Sequence, residues 1–365
     1  MGFKMYEYQH PNFNREFFKN APNCTLVEVE NDGISPRNYH ALSVHPEYFK
    51  VNGKWILATE SRMDTVCVVD DTLGREKLEI VEFRNLKKGD KVAIGRSEDG
   101  SEGIYVWTKG FLSKEALDEN FVFRSGRSRE TAFSIDYNNL YEVLKQEKEN
   151  DGYVTLVVGS ALVLDSEARK SLENLIRNGY VNAIFCGTET VAFDLEKGVF
   201  GTSWGQEKYV KQKNATHNLY DTINLARKYE SSKALVESGI VKDGFFKAAI
   251  ECGVKVVIPG TIRDQFTLPE TINNVYDGQD EMRKHARKTS TLIMMGSILY
   301  TIATGNMTPS YNEFNEEIKP IHMYTVDIQE FSVNKLSDRG TLTAVTIVTN
   351  AQDFIRNVDR ELNRE

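Results

Sequence analysis

The chain has 365 residues, 40% hydrophobic and 27% charged, which is the composition of an ordinary globular protein with room for two cores. Its formal net charge of −8 disfavours nucleic acid and anionic membranes as partners, because both are usually bound through a basic surface. The N-terminus lacks the apolar stretch of a signal peptide, and the 4 cysteines are far apart without CxxC spacing. We therefore expect a cytoplasmic protein with free thiols and no metal site.

Residues 22–110 predict a small, largely antiparallel β domain. Short runs rich in β-branched and aromatic residues alternate with turn signals along this stretch. The Asn52-Gly53 pair between Tyr48–Val51 and Lys54–Leu57 predicts a two-residue hairpin turn. We assign residues 1–120 to this domain and expect it to bind the substrate.

Residues 121–150 predict a connecting segment that contains one helix. Tyr137, Leu140, Tyr141 and Leu144 recur at helical spacing within it.

From residue 151 onward, apolar strands alternate with amphipathic helices. The predicted strands are Tyr153–Gly159, Asn182–Gly187, Lys255–Gly260, Thr291–Gly296, His322–Asp327 and Ala344–Thr349. Strands that are apolar nearly throughout are typical of a parallel sheet covered on both faces, and the alternation implies right-handed crossovers. The predicted fold class is α/β, with a Rossmann-like parallel sheet domain over residues 151–365 after the small, mainly β domain.

The first four of these strands share one ending, a glycine followed by a small hydroxyl residue. The pairs are Gly159-Ser160, Gly187-Thr188, Gly260-Thr261 and Gly296-Ser297. In an open parallel sheet the ligand lies beyond the carboxyl ends of the strands, where a glycine lets the backbone approach it and a hydroxyl donates to phosphate or ribose. Turn geometry alone explains one such glycine, but four in succession favour a ligand rich in phosphate and hydroxyl groups.

Two carboxylates near strand ends are candidate acceptors for an adenosine ribose. Glu189 follows the second strand and Asp327 closes the fifth, and we favour Asp327. An acid at this position binds the ribose 2′-OH and disfavours a 2′-phosphate, which predicts NAD rather than NADP. Helix capping is the alternative role for each residue.

The predicted cofactor set contains the strand-end residues, the start of the helix after the first strand, the loop after the third strand and a turn at residues 305–307. Its members are Gly159, Ser160, Ala161, Gly187, Thr188, Glu189, Gly260, Thr261, Ile262, Arg263, Asp264, Gly296, Gly305, Asn306, Met307 and Asp327. An ion pair that braces the loop is the alternative for Arg263 and Asp264.

Five stretches of the C-terminal half form an ordered set: LIRNGYVNAIFCG (Leu175–Gly187), VFGTSWG (Val199–Gly205), IPGTIRDQFTLP (Ile258–Pro269), IATGNMTP (Ile302–Pro309) and VDIQEFSVNKLSDRGT (Val326–Thr341). This set resembles the LOR/SDH-type ornithine cyclodeaminases of archaea and the C-terminal part of the cyanobacterial arginine-dihydrolase fusion proteins. The resemblance covers residues 150–365 and continues more weakly through Ser35–Asp64. It implies a homo-oligomeric, NAD-containing enzyme that converts ornithine to proline and ammonia by transient oxidation at Cα.

That chemistry needs a cation for the α-carboxylate, a base for the amines and a carboxylate for the δ-ammonium group. Arg37 or Arg62 is suited to bind the carboxylate, and Asp64 to pair with the ammonium group. His40 or His45 is suited to relay protons, and Glu60 completes the predicted catalytic set. A structural role for His45 and a solvated strand face for the segment 60–64 are the alternatives.

Two other functions fit the same features. An opine- or saccharopine-type NAD(P)H reductase would consume NADH, whereas a cyclodeaminase would not. A non-catalytic sensor of NAD or an amino acid would bind its ligand without turnover.

Overall fold

The chain forms two compact units, each assembled from segments that are distant in sequence. The computed structural model describes residues 8–111, 133–203, 216–262, 264–314, 317–329 and 343–363. Unit 1 comprises Met1–Thr131, Asn306–Ile321 and Gly340–Thr343, and unit 2 comprises Ala132–Gly305, His322–Arg339 and Ala344–Glu365.

The N-terminal elements all belong to unit 1. They are α1 (Glu16–Asn20), β1 (Thr25–Glu28), β2 (Glu47–Val51), β3 (Lys54–Leu57), β4 (Thr65–Asp70), β5 (Lys77–Glu82), a 3₁₀ turn (Phe83–Asn85), β6 (Lys91–Ile94) and β7 (Ile104–Val106). They form a four-stranded sheet of order β1-β6-β4-β5 and a three-stranded sheet of order β3-β2-β7, both antiparallel. Asn52 and Gly53 both have positive φ, at 49° and 81°, which confirms the predicted β2–β3 hairpin turn.

The remaining elements follow in chain order. They are α2 (Phe133–Glu149), β8 (Val154–Val158), α3 (Ser160–Leu164), α4 (Ser166–Arg177), β9 (Ala183–Cys186), α5 (Thr188–Phe200), α6 (His217–Lys228), α7 (Ser232–Glu237), α8 (Phe245–Cys252), β10 (Lys255–Val257), α9 (Val275–Ala286), β11 (Thr291–Met295), α10 (Ile298–Met307), β12 (Tyr311–Phe314), β13 (Glu317–Pro320), β14 (His322–Asp327), β15 (Ala344–Val348) and α11 (Ala351–Leu362). The β12–β13 hairpin is part of unit 1.

Unit 2 is built on one six-stranded sheet of order β10-β9-β8-β11-β14-β15, and every neighbouring pair in it is parallel. Numbered by position in the chain, this order is 3-2-1-4-5-6, the order of the dinucleotide-binding Rossmann fold. Every residue of β8, β9 and β11 is buried, as expected of strands covered on both faces. The predicted fold class is confirmed.

The helices of unit 2 begin and end at local signals in the sequence. In α4 the Asp165 carboxylate accepts a hydrogen bond from the Ala168 amide, and Gly179 follows the helix with φ 76°. Leu172 and Ile176 form the buried stripe of this helix. In the predicted helix α2, Leu140 is buried and the Tyr137 ring packs on Phe354 of α11 at 5.6 Å, so α2 belongs to unit 2.

One predicted turn is wrong. Residues Gly305, Asn306 and Met307 form the last turn of α10 rather than a loop. Gly305 therefore lies about 10 Å along the helix axis from the first residue of α10, at a rise of about 1.5 Å per residue. The glycine suggested a break, but the helix continues through it to Met307, two residues before Pro309.

No helix in the described parts of the chain is both long enough and apolar enough to cross a membrane.

Candidate functional site

The strand order of unit 2 reverses between β8 and β11, and two of the predicted glycines meet there. Gly159 follows β8, and its amide donates a 2.9 Å hydrogen bond to the Met295 carbonyl at the end of β11. A Cβ added to Gly159 would lie 1.9 Å from the Gly296 carbonyl oxygen, and Gly296 itself has φ 66°. No larger residue fits at position 159, and the two backbones form a side-chain-free edge at the point where ligands of this fold bind.

The loop after β10 is held by a carboxylate. Asp264 accepts hydrogen bonds from the Thr261 amide at 2.9 Å, from the Thr261 hydroxyl at 3.0 Å and from the Thr188 hydroxyl at 3.0 Å. Thr188 is fully buried at the start of α5. These two hydroxyls therefore donate to Asp264 rather than outward, and they brace the loop against the end of β9.

The two ribose candidates lie on opposite sides of the switch point. Glu189 is the second residue of α5, just beyond β9, and it is half-buried. Asp327 is the last residue of β14 and accepts a 2.8 Å hydrogen bond from the Gln329 amide. Three strand spacings, about 14 Å, separate the ends of β9 and β14, so the two carboxylates cannot serve the same ribose.

The other predicted cofactor residues differ in position. Ser160 and Ala161 begin α3, a helix of 5 residues whose N-cap is Gly159. The Gly260 amide donates to the Ile272 carbonyl at 2.8 Å, and Ile262 is fully exposed. Arg263 lies outside the described residues.

Two of the predicted catalytic residues, Glu60 and Arg62, form a buried ionic group in unit 1. Arg62 is 3% exposed, and its Nη2 donates to the Glu82 Oε1 at 2.8 Å and to the Ile80 carbonyl at 3.3 Å. Its Nη1 lies 3.1 Å from the Glu60 Oε1, and Glu60 is 4% exposed. The solvated-face alternative is therefore wrong for these two residues, and Arg62 is committed to protein carboxylates.

His40 takes part in a second buried pair. Its Nε2 lies 2.6 Å from the Glu47 Oε2, and the other oxygen of Glu47 accepts a hydrogen bond from the Ser43 amide at 2.5 Å. The His45 amide donates to the Ser43 hydroxyl at 3.1 Å, and burial lowers the pKa of the His45 imidazole. Burial therefore favours the neutral form of the His45 imidazole over its protonated form.

Arg37 and Asp64 are the exposed members of the predicted catalytic set. Asp64 has φ 60° in the turn that leads into β4, and the Thr65 hydroxyl donates to the Arg62 carbonyl at 2.7 Å. Buried residues on either side of this turn, Arg62 and Thr65, hold it so that Asp64 projects from the surface. The hydrogen bond and the two buried anchors make Asp64 a rigidly presented carboxylate.

Four residues of this region are absent from the predicted set: Glu47, Glu82, Ser310 and Tyr311. The Tyr311 hydroxyl donates to the Ala58 carbonyl at 2.7 Å, and burial together with the nearby Glu47 raises its pKa. The Ser310 hydroxyl donates to the Val44 carbonyl. Ser310 and Tyr311 lie about 250 positions along the chain from their partners, so no local sequence pattern points to them. Glu47 could have been found from the sequence, because it directly follows the His45-Pro46 pair.

All four cysteines are free. In the described residues, no group of three or more His, Cys, Asp or Glu side chains is arranged to hold a metal ion.

Comparison with known proteins finds an ArgZ-like family and proteins named ornithine cyclodeaminase. Residues 138–358 match the family described as arginine dihydrolase ArgZ-like, C-terminal, Rossmann fold. The ornithine cyclodeaminase of Methanopyrus kandleri is 32% identical over 351 residues, which span 93% of this chain and 78% of that protein.

Solved structures give the same picture. A conserved LOR/SDH protein of Methanococcus maripaludis superposes with a TM-score of 0.80 at 29% identity, covering 94% of this chain and 99% of that one. The ternary complex of AgrE with ornithine and NAD⁺ has a TM-score of 0.57 at 25% identity, covering 94% of this chain and 46% of that one. AgrE is named a bifunctional arginine dihydrolase/ornithine cyclodeaminase in Nostoc sp..

Proposed function

The chain belongs to the ArgZ-like Rossmann-fold family, whose relatives include the archaeal ornithine cyclodeaminases, and we propose that it is an NAD-dependent ornithine cyclodeaminase. In this role it converts ornithine to proline and ammonia. The observation that carries the proposal is the glycine-lined switch point of a 3-2-1-4-5-6 sheet, in a chain whose relative AgrE binds both ornithine and NAD⁺.

The residues of unit 2 fit a dinucleotide. The Gly159 and Gly296 backbones leave the switch point free of side chains, so a pyrophosphate has close access to main-chain groups there. We assign Glu189, which follows β9, rather than the favoured candidate Asp327 to the adenosine ribose, because the ribose acid of this strand order follows the second strand. When bound, the nicotinamide accepts the hydride from the substrate Cα and later returns it to the cyclic imine.

The residues of unit 1 divide into two roles. Ornithine carries two ammonium groups and one carboxylate at neutral pH, and the exposed pair Asp64 and Arg37 has the charges to meet them. We assign Asp64 to the substrate ammonium group, from which it accepts a proton, and Arg37 to the carboxylate. The buried residues Glu60, Arg62 and His40 position these segments rather than contact the substrate.

The test is proton NMR of the products formed from L-ornithine with a catalytic amount of NAD⁺. We expect proline and one equivalent of ammonia with no net NADH. No proline, with NADH consumed in the presence of an oxo acid, would replace the proposal with the reductase function. NAD⁺ binding without turnover of any amino acid would favour the sensor.

A matched pair of variants tests the role of Asp64. Asp64→Asn should lower kcat by about 100-fold or more, because a positioned acid–base group contributes at least that much. Asp70→Asn changes an exposed aspartate at the other end of β4 and should leave kcat unchanged. Equal activities of the two variants would remove Asp64 from the mechanism.

A further inference from the structure

Tyr300 lies across the carboxyl edge of the sheet in unit 2. It is the third residue of α10, the helix that follows β11. Its hydroxyl donates a 2.7 Å hydrogen bond to the Pro259 carbonyl, just beyond β10. Its ring lies over the end of β9, where the hydroxyl and Cε2 would be 3.2 and 3.3 Å from a Cβ added to Gly187.

This space is the adenosine side of the crevice. In a sheet of this strand order the ribose acid lies beyond the second strand, which here is β9 with Glu189 following it. A ligand atom that approached Gly187 along its Cα–Cβ direction would meet the Tyr300 phenol ring. The tyrosine and an adenosine group therefore compete for one place.

We propose that the Tyr300 ring, where it lies in this structure, occupies the adenosine subsite and that it moves aside when the dinucleotide binds. The inference rests on the proposed function, since it presupposes NAD. The hydrogen bond from the Tyr300 hydroxyl to the Pro259 carbonyl holds the ring in this closed position, over the end of β9. The two preceding residues, Ile298 and Leu299, are 42% and 62% exposed, whereas Thr301 is buried.

If the Tyr300 ring occupies the subsite in most molecules, only the remaining fraction can bind the dinucleotide. The observed affinity for the dinucleotide is then the intrinsic affinity multiplied by that fraction. Removing the ring therefore strengthens binding, whereas removing only the hydroxyl loosens the closed position and strengthens it less. For Tyr300→Ala we expect an NAD⁺ dissociation constant on the order of tenfold lower, and for Tyr300→Phe a reduction of about threefold, the equivalent of one modest hydrogen bond.

The experiment is calorimetric titration of the full chain and both variants with NAD⁺, ADP-ribose and nicotinamide mononucleotide. The substitutions should tighten NAD⁺ and ADP-ribose and leave nicotinamide mononucleotide unchanged, because only the first two carry adenosine. Phe200→Ala, which removes an exposed aromatic ring at the far end of α5, is the control and should change none of the three.

Weaker or unchanged ADP-ribose binding by Tyr300→Ala would overturn the inference, since the ring would then be a supporting wall or lie outside the site. The proposed function fails separately. If wild-type chain forms proline from ornithine while Tyr300→Ala binds ADP-ribose no more tightly, only the role of Tyr300 is lost. If wild type and variants bind none of the three ligands and form no proline, both proposals fall.

Discussion

The two units differ in where their predicted site residues lie. In unit 2 the central strands are apolar, and the predicted ligand contacts lie at the carboxyl edge of the sheet, a location that strand order alone creates. In unit 1, by contrast, several of the predicted catalytic residues are buried within the small antiparallel domain: Glu60 is 4% exposed and Arg62 is 3% exposed. A topological site tolerates many sequences, whereas a site held by buried charges depends on each partner, because an unpaired buried charge is costly.

The largest effect on stability should come from Arg62. Arg62→Met removes the guanidinium that pairs with Glu60 and Glu82, and breaking a buried pair costs about 3–5 kcal/mol. Urea unfolding of wild type and variant measures the loss. Arg37→Met, at an exposed arginine of the same unit, should change stability by less than about 0.5 kcal/mol while raising the KM for ornithine. Similar unfolding midpoints for the two variants would show that the buried group is not structural.

In unit 2 the largest effect on stability should come from a substitution of Gly159. Gly159→Ala places a methyl group against the Gly296 carbonyl oxygen and should cost about 3 kcal/mol, with loss of NAD⁺ binding. Gly179→Ala is the control, because Gly179 has φ 76° but open space around its Cβ position, so only about 1 kcal/mol of backbone strain is expected. Urea unfolding and NAD⁺ titration compare the two, and equal losses would mean that the close approach at the switch point relaxes easily.

The preference for NAD⁺ over NADP⁺ distinguishes the roles of Glu189 and Asp327. Glu189→Gln should reduce the preference for NAD⁺ over NADP⁺ by about tenfold, because removing the negative charge lessens repulsion of a 2′-phosphate. Asp327→Asn, three strands away, should leave the preference unchanged. Titration of each variant with both dinucleotides decides this. The reverse result would restore Asp327 as the ribose acid.

The stability of the folded chain also depends on pH. Burial lowers the pKa of His322 from 6.5 to about 4. The folded chain thus keeps this imidazole neutral, while the unfolded chain binds a proton near pH 6.5, so stability is full above that pH and declines as the pH falls towards 4. His322→Gln should flatten this part of the stability profile, measured by urea unfolding at several pH values. If the dependence of the unfolding free energy on pH is the same in His322→Gln as in wild type, other groups cause the loss of stability at low pH.

The sequence by itself determined the fold class and the family. Apolar strands alternating with amphipathic helices specify a parallel sheet, and Asn52-Gly53 specifies a hairpin turn, because both signals act over short distances. The ordered motifs identified the family for the same reason, since each is a contiguous stretch. The strand-end glycines do lie at the carboxyl edge of the sheet, as the sequence predicted.

Only the tertiary structure decided which side chains meet. Tyr311 pairs with the Ala58 carbonyl and Ser310 with the Val44 carbonyl through contacts between segments about 250 residues apart, which no local pattern encodes. Burial decided that Arg62 serves protein carboxylates and that Asp64 remains exposed. The contact of Gly159 with Gly296, and of Tyr300 with the end of β9, follows from strand order, because neighbouring strands of the sheet are far apart in the chain.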